Sequence, residues 1–412
     1  MKVQRGYRTE LDPNAGQLDL LVRHAGAARF AWNWGLGMRQ TLWRVCHSSQ
    51  NSKSLHRALN ALKGSDYPWL YETSKCAPQE ALRDLDAAYR RFFACRKGKC
   101  PKHWNAGKPR GKKRCGYPRF KSRKRGLGSF RLTGSITIEN GHVVLPRIWR
   151  VRLKEKGYLP VGRPSQITVS EQAGRWFVSV AVEEEIPEPT PREGPQVGLD
   201  LGLTTLATLS DGTVIENSKT LRKHLKRLAK VQKEVSRKQK GSQNRRKSCL
   251  KLARLHARIH NIRTDHIHKA TTMLAKTKPA IVVESLNVAG LMRANGLSQA
   301  DASWGEFLRQ LNYKSAWYGC GLSKAPRFYP SSKMCSGCGH VKAELPLWVR
   351  IYRCEACGLV IDRELNAAQN LSHLPPVRRE VTPGEIGPTL PSVSTGASPV
   401  VEPGSGSWNK TP

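Results

Sequence analysis

Apolar residues recur along this chain with a period that changes several times, and each change marks an element. KVQRGYRTEL near the N-terminus predicts a short strand over the first dozen residues. From there to about Phe93 the apolar positions fall at three- and four-residue steps: Leu18, Leu21, Val22, Ala25 and Ala28, then Leu82, Leu85, Tyr89 and Phe93. That spacing predicts helices with these residues in a core. Between Ser129 and Val182 the period drops to two. Asn140-Gly141 within SITIENGHVVLP and Ala173-Gly174 within QITVSEQAGRWFVSVAVEEE each sit between strand-like runs, which predicts two hairpins of a small β domain. PEPTPREGP, from Pro187 to Pro195, then reads as a stiff linker.

Beyond the linker, VGLDLGLTTLATLSDGTVIEN predicts three adjacent antiparallel strands, the last two joined at Asp211-Gly212. Leu221, Leu225, Leu228, Val231 and Val235 return to helical spacing, and Leu252, Leu255, Ile259 and Ile262 resume it after a break at Gly241-Ser242. A helical hairpin with a narrow apolar seam is expected. PAIVVESL predicts a buried strand ending in a carboxylate. Residues 375–412 are rich in Pro, Gly, Ser and Thr and read as a disordered tail. No apolar run reaches the ~18 residues of a membrane span, and the N-terminus lacks the apolar stretch of a secretory signal. A soluble intracellular protein with no membrane partner is expected.

Charge changes the picture most. Lys and Arg number 70 against 31 Asp and Glu, a formal net charge of +39 in 412 residues, which excludes most metabolic enzymes and points to a polyanion partner. With 39% hydrophobic residues the chain can still bury ordinary cores. The charge is concentrated. Arg90 to Arg125 holds 16 Lys/Arg and no acid, interleaved with Phe92, Phe93, Trp104, Tyr117 and Phe120. Lys219 to Arg263 holds 17 Lys/Arg and the single acid Glu234. Either run can be a solvated surface, but the interleaved aromatics and the extreme imbalance favour contact with phosphates and bases. A nucleic-acid enzyme and a nucleic-acid-binding scaffold are the two classes that remain.

Candidate chemistry sharpens the choice. Cys335-x2-Cys338 is followed 15 residues later by Cys354-x2-Cys357, with Gly339 and Gly358 trailing the pairs. Two such knuckles complete a tetrahedron of thiolates around a structural Zn²⁺. Cys95, Cys100, His103 and Cys115 match no familiar finger and form a weaker candidate. Three acids occupy unusual places: Asp200 interrupts an apolar strand, Glu284 ends another, and Asp362 follows Leu359-Val360-Ile361 just before ELNAAQNL. Singly they read as a turn residue, a helix cap and an ordinary N-cap. Brought together they can hold two Mg²⁺ or Mn²⁺ ions, one activating water and one stabilising the leaving oxygen of a phosphodiester. Zinc removal is then expected to unfold 335–357 and leave Mg²⁺ affinity largely unaffected.

GLDLGLTTLATLSDG, VVESLNVAGL, YPSSKMCSGCG and CEACGLVIDRELNAAQNL, in that order and with a basic helical hairpin between the first two, resemble the TnpB family, the OrfB proteins of insertion sequences. The match runs from about Val197 to Leu371. The resemblance implies a mixed α/β multidomain protein: a β wedge domain (1–12 plus 105–190), a helical recognition domain (13–104), an RNase H-like RuvC nuclease domain (195–325 plus 358–374) and a zinc-ribbon insertion that binds target nucleic acid (326–357). It implies RNA-guided DNA cleavage related to type V CRISPR effectors, with Asp200, Glu284 and Asp362 as catalytic metal ligands. Glu364 stands beside the ligand position, where many members carry Asp, Asn366 supports the site, and Ser331, Ser332 and Lys333 fit a family segment that either contacts nucleic acid or forms a polar turn into the knuckle. A guide RNA from the element's own end and double-stranded target DNA are the implied partners, inside a prokaryotic cytoplasm at the nucleoid. Excision falls to a separate transposase. The competing reading is a DNA- or RNA-binding transposition accessory that does not cut.

Overall fold

The computed structural model describes residues 1–97, 116–123, 126–286, 303–346 and 348–375. Cys100, His103, Cys115, Trp104 and the predicted tail after residue 375 therefore lie outside the described residues. Among the described residues the chain divides into two compact units, one comprising residues 4–184 and the other residues 185–375 with the first three. The division falls just before the Pro-rich linker, which carries no regular element.

In the first unit, strand β1 (Lys2–Asp12) leads into helices α1 (Ala15–Cys46), α2 (Ser52–Ala61) and α3 (Cys76–Arg96). Asn14 and Gln17 form a capping box at the start of α1, and Asn51 and Ser54 form one for α2. Six more strands follow: β2 (Ser129–Thr133), β3 (Thr137–Glu139), β4 (His142–Leu145), β5 (Trp149–Leu153), β6 (Gln166–Gln172) and β7 (Arg175–Glu185). They join β1 in a seven-stranded sheet of order β2-β6-β7-β1-β5-β4-β3. Both expected hairpins are present, β3 with β4 around Gly141 and β6 with β7 around Ala173-Gly174. Leu82 and Leu85 from the helices and Leu132, Val151 and Val178 from the strands belong to one hydrophobic cluster, so the β and helical parts share a core. Leu18 and Phe93 depart from expectation: they are 43% and 51% exposed, although their spacing placed them on the apolar face. Both lie near helix ends.

The second unit is built on a five-stranded sheet of order β10-β9-β8-β11-β12, from β8 (Gln196–Asp200), β9 (Thr205–Leu209), β10 (Val214–Glu216), β11 (Ala280–Val283) and β12 (Gly321–Lys324). β8, β9 and β10 are antiparallel as the sequence predicts, whereas β11 runs parallel to both β8 and β12. Between β10 and β11 the chain forms the basic hairpin, α4 (Thr220–Arg237) and α5 (Gln243–Thr277). Its seam is narrower than the periodicity implies: Leu228, Leu255 and Ile259 are buried, but Leu225 and Ile262 stay 42% and 38% exposed. Helix α6 (Trp304–Tyr318) precedes β12 and packs on α5, and a two-stranded sheet, β13 (Ile351–Arg353) with β14 (Val360–Asp362), leads into α7 (Arg363–Ser372). No helix among the described residues is long and apolar enough to cross a membrane.

Candidate active site and metal centre

The parallel register pairs Leu199 of β8 with Val283 of β11, so the next residue of each chain segment, Asp200 and Glu284, emerges side by side at the carboxyl ends of the two strands. That edge is where open sheets with parallel strands place their ligands. Helix α7 lies directly on β8 because residue 198 is glycine: a Cβ there would stand 1.9 Å from the carbonyl oxygen of Ala368 and 2.6 Å from the amide nitrogen of Ser372. Gln196 Nε2 fastens the far end of the helix by donating to the carbonyls of Ser372 (3.1 Å) and Leu374 (2.6 Å).

In this close packing the neighbouring acids Asp362 and Glu364 make different contacts. Asp362 is exposed and occupies the N-cap of α7, where its Oδ1 accepts from the amides of Glu364 (2.9 Å) and Leu365 (3.0 Å). Glu364, two residues on, turns inward. Its Oε2 accepts from the hydroxyls of Thr205 (2.6 Å) and Thr208 (3.2 Å), and Arg350 Nη1 lies 3.5 Å from Oε1. Burial raises the Asp200 carboxyl to about 7, with the charges of Glu284 and then Glu364 adding to the shift while Arg363 opposes it. Burial also raises Glu284. Neither Asp200 nor Glu284 has an ion pair among the described residues, so the site gathers acids whose charge is offset either by a proton, as the raised Asp200 shows, or by a bound cation. These oxygens fit a divalent cation by donor type, although the three carboxylates do not all lie within 4.8 Å of one another.

The cysteine pairs make a closed site. Among the described residues, Cys335, Cys338, Cys354 and Cys357 form the one group of three or more potential ligands whose donor atoms all lie within 4.8 Å of one another. Sγ of Cys335 stands 3.6 Å from that of Cys357, and Sγ of Cys338 stands 3.5 Å from that of Cys354. Four Zn–S bonds of about 2.3 Å give a tetrahedral edge of about 3.8 Å, so the sulfurs are set for zinc. Each knuckle turns through a glycine with positive φ, Gly339 at 78° and Gly358 at 74°. The amides of these glycines donate to the carbonyls of Cys335 and Cys354. Backbone amides of Cys357 and Ala356 hold the Cys354 thiol down to about 6, toward the thiolate that binds metal.

Residues expected at the periphery make these contacts. Ser331 is buried, and Lys333 Nζ donates to the carbonyl of Ala343, so this segment forms a polar turn into the knuckle. Asn366 faces that knuckle. The sequence marks Glu364 only as a neighbour of the ligand position, where a change is expected to matter little. Its place two residues after an N-cap aspartate sets it roughly 200° around the helix from the cap.

Comparison with known proteins identifies the family. Residues 177–295 match the family model OrfB of IS605, described as a probable transposase, and residues 304–371 match the Cas12f1-like TNB domain. Residues 1–45 match a helix-turn-helix domain, although β1 and the single long helix α1 occupy that stretch here. A Streptomyces pristinaespiralis protein, named as a candidate RNA-guided DNA endonuclease, is 39% identical over 90% of this chain and 89% of its own length. InsQ of Escherichia coli K12, named likewise, is 31% identical over 90% of this chain and 92% of its own. The structure of the mini RNA-guided endonuclease CRISPR-Cas phi3 superposes with a TM-score of 0.51 at 10% identity, over 92% of this chain and 94% of that one, a likeness of fold. The chain belongs to the TnpB family.

Proposed function

We propose that this protein is an RNA-guided DNA endonuclease of an insertion sequence, cutting by divalent-metal hydrolysis at Asp200, Glu284 and Glu364. The carrying observation is the set of mutually repelling carboxylates at the adjoining ends of β8 and β11, in a chain whose net charge is +39. Acids gathered against that background need a cation. Mg²⁺ or Mn²⁺, two ions in the family's scheme, supply Lewis acidity toward the phosphodiester and a water of lowered pKa. Glu364 takes the third position because Thr205 and Thr208 orient it, while the cap bonds commit Asp362 to the helix. Zinc in the four-cysteine site is structural, since four thiolates leave no open position.

The names of the relatives support a guide RNA and a DNA target. On this reading the basic faces of α4 and α5 lie along a phosphate backbone, base pairing selects the target, and the first unit serves as wedge (1–12 plus 105–190) and recognition (13–104) parts. A guide RNA from the element's end and a separate transposase for excision complete the scheme. Asp200→Ala is the test: cleavage of a guided target should vanish while RNA and target binding persist. Cutting that survives in Asp200→Ala overturns the site, and wild-type protein that binds without cutting makes the accessory reading correct.

A further inference from the structure

Helix α7 carries Glu364 in its first turn and two buried asparagines further along, Asn366 (0% exposed) and Asn370 (1%). Both side chains reach across to the first zinc knuckle. Asn366 Oδ1 accepts from the amide of Ser336 (2.9 Å) and its Nδ2 donates to the carbonyl of Met334 (2.7 Å). Asn370 Nδ2 donates to the carbonyls of Met334 (2.6 Å) and Ser331 (2.8 Å), and its own carbonyl accepts from Tyr329 Oη (3.1 Å). Met334 and Ser336 flank Cys335, so these bonds grip the backbone on either side of a zinc ligand. The second half of the ribbon holds the start of the same helix: the amide of Arg363 donates to the carbonyl of Arg350 (2.8 Å), Arg363 Nη1 donates to the carbonyl of Pro346 (3.1 Å), and Arg350 reaches Glu364.

The opposite face of α7 has no slack, because Gly198 admits the helix backbone at contact distance. The helix is held between β8 and the knuckle, and a shift of the knuckle must either break buried amide bonds or move Glu364. The sequence predicts two independent metal sites, whereas these hydrogen bonds link the knuckle to the helix that carries Glu364.

We propose that Asn366 and Asn370 are positioning residues through which the zinc knuckle sets Glu364 in the carboxylate site, so that zinc governs divalent-cation binding there. The inference rests on the site assignment above. Its test uses full-length protein with its co-purified RNA and follows Mn²⁺ binding by electron paramagnetic resonance, taking the Asp200-dependent portion as the difference from Asp200→Ala. Zinc extracted from the wild type should weaken that binding by about 10-fold or more and speed hydrogen exchange of the α7 amides. Asn366→Ala and Asn370→Ala should retain one zinc per chain yet weaken Mn²⁺ binding likewise, with kcat lowered and KM for target DNA unchanged. Unchanged Mn²⁺ binding in the folded variants and in zinc-depleted wild type, or unchanged α7 exchange on zinc removal, overturns the proposal. Should the variants fail to fold, the zinc-extraction arm decides alone. A wild type with no Asp200-dependent Mn²⁺ site defeats the assignment of the site instead, and α7 exchange then decides whether zinc holds the helix.

Discussion

Gly198→Ala probes whether α7 is held against the sheet closely enough to determine the site. The added methyl would meet the carbonyl oxygen of Ala368 at 1.9 Å and the amide of Ser372 at 2.6 Å, both backbone atoms. No side chain can swing aside, so the helix must withdraw by about 1.5 Å to reach ordinary contact. Overpacking of this kind costs about 1–3 kcal/mol, and a rigid obstacle on both strand and helix puts this case at the upper end. For a unit of this size that corresponds to a fall in Tm of about 5–10 °C. Function should suffer more than stability. Glu364 lies one turn before Ala368, and a misplacement of about 1 Å at a reacting centre costs on the order of 100-fold in rate. The assay is single-turnover cleavage of a guided target, beside thermal melts and guide-RNA binding. The expected result is cleavage down at least ~100-fold with RNA affinity unchanged. A Gly198→Ala protein that melts and cuts like the wild type refutes the close packing, and with it the reason for placing Glu364 in the site.

Other outcomes follow from buried charges and from the helices. Asp200 titrates near 7 in the folded protein against an ordinary 3.8, so in zinc-loaded, Mg²⁺-free protein stability should fall as pH rises from about 4 to about 7. Asp200→Asn should flatten that slope and raise stability at pH 8 by up to about 4 kcal/mol, read by denaturant melts; an unchanged slope removes the assigned cause. Lys314, nearly buried on α6 and donating to the carbonyl of His268 and the hydroxyls of Thr271 and Thr272, is pushed down to about 8 by burial first and Arg309 second. Its folded pKa lies below the ordinary 10.5, so stability should rise between about pH 8 and 10.5 in the wild type and not in Lys314→Met. In the first unit, Gly35→Ala puts a Cβ 2.5 Å from Leu82 Cδ2 at the α1–α3 contact and should cost about 1–3 kcal/mol. Gly37→Ala on the same helix meets nothing within 4 Å and should stabilise by about 0.5–1 kcal/mol, a contrast that melting the two variants checks.

Much of this protein is legible in one dimension because its signals are local. Periods of two and of three to four residues reproduce the β hairpins, the long helices and the basic hairpin, since burying one face of a strand or helix requires them. The spacing of Cys335, Cys338, Cys354 and Cys357 identifies a zinc site for the same reason: each knuckle is closed by neighbouring residues and a positive-φ glycine. Asp200 and Glu284 are legible as acids out of place in apolar strands. Whether Leu225 or Leu18 is covered depends on how far another element extends, and periodicity carries no such information. The third acid shows the limit most plainly. Asp362 and Glu364 are two residues apart in one motif, and either suits a metal by chemistry. Which of them turns inward depends on the helix cap, on hydroxyls from β9, and on the absence of a side chain at residue 198. Elements, charge and the clustering of four cysteines follow from the chain alone, because short-range geometry and composition suffice for those. That Glu364 meets Thr205 and Thr208 while Asp362 caps the helix, and that Asn366 and Asn370 bind the knuckle backbone, emerges only on folding, because those contacts join residues about thirty to more than a hundred and fifty positions apart.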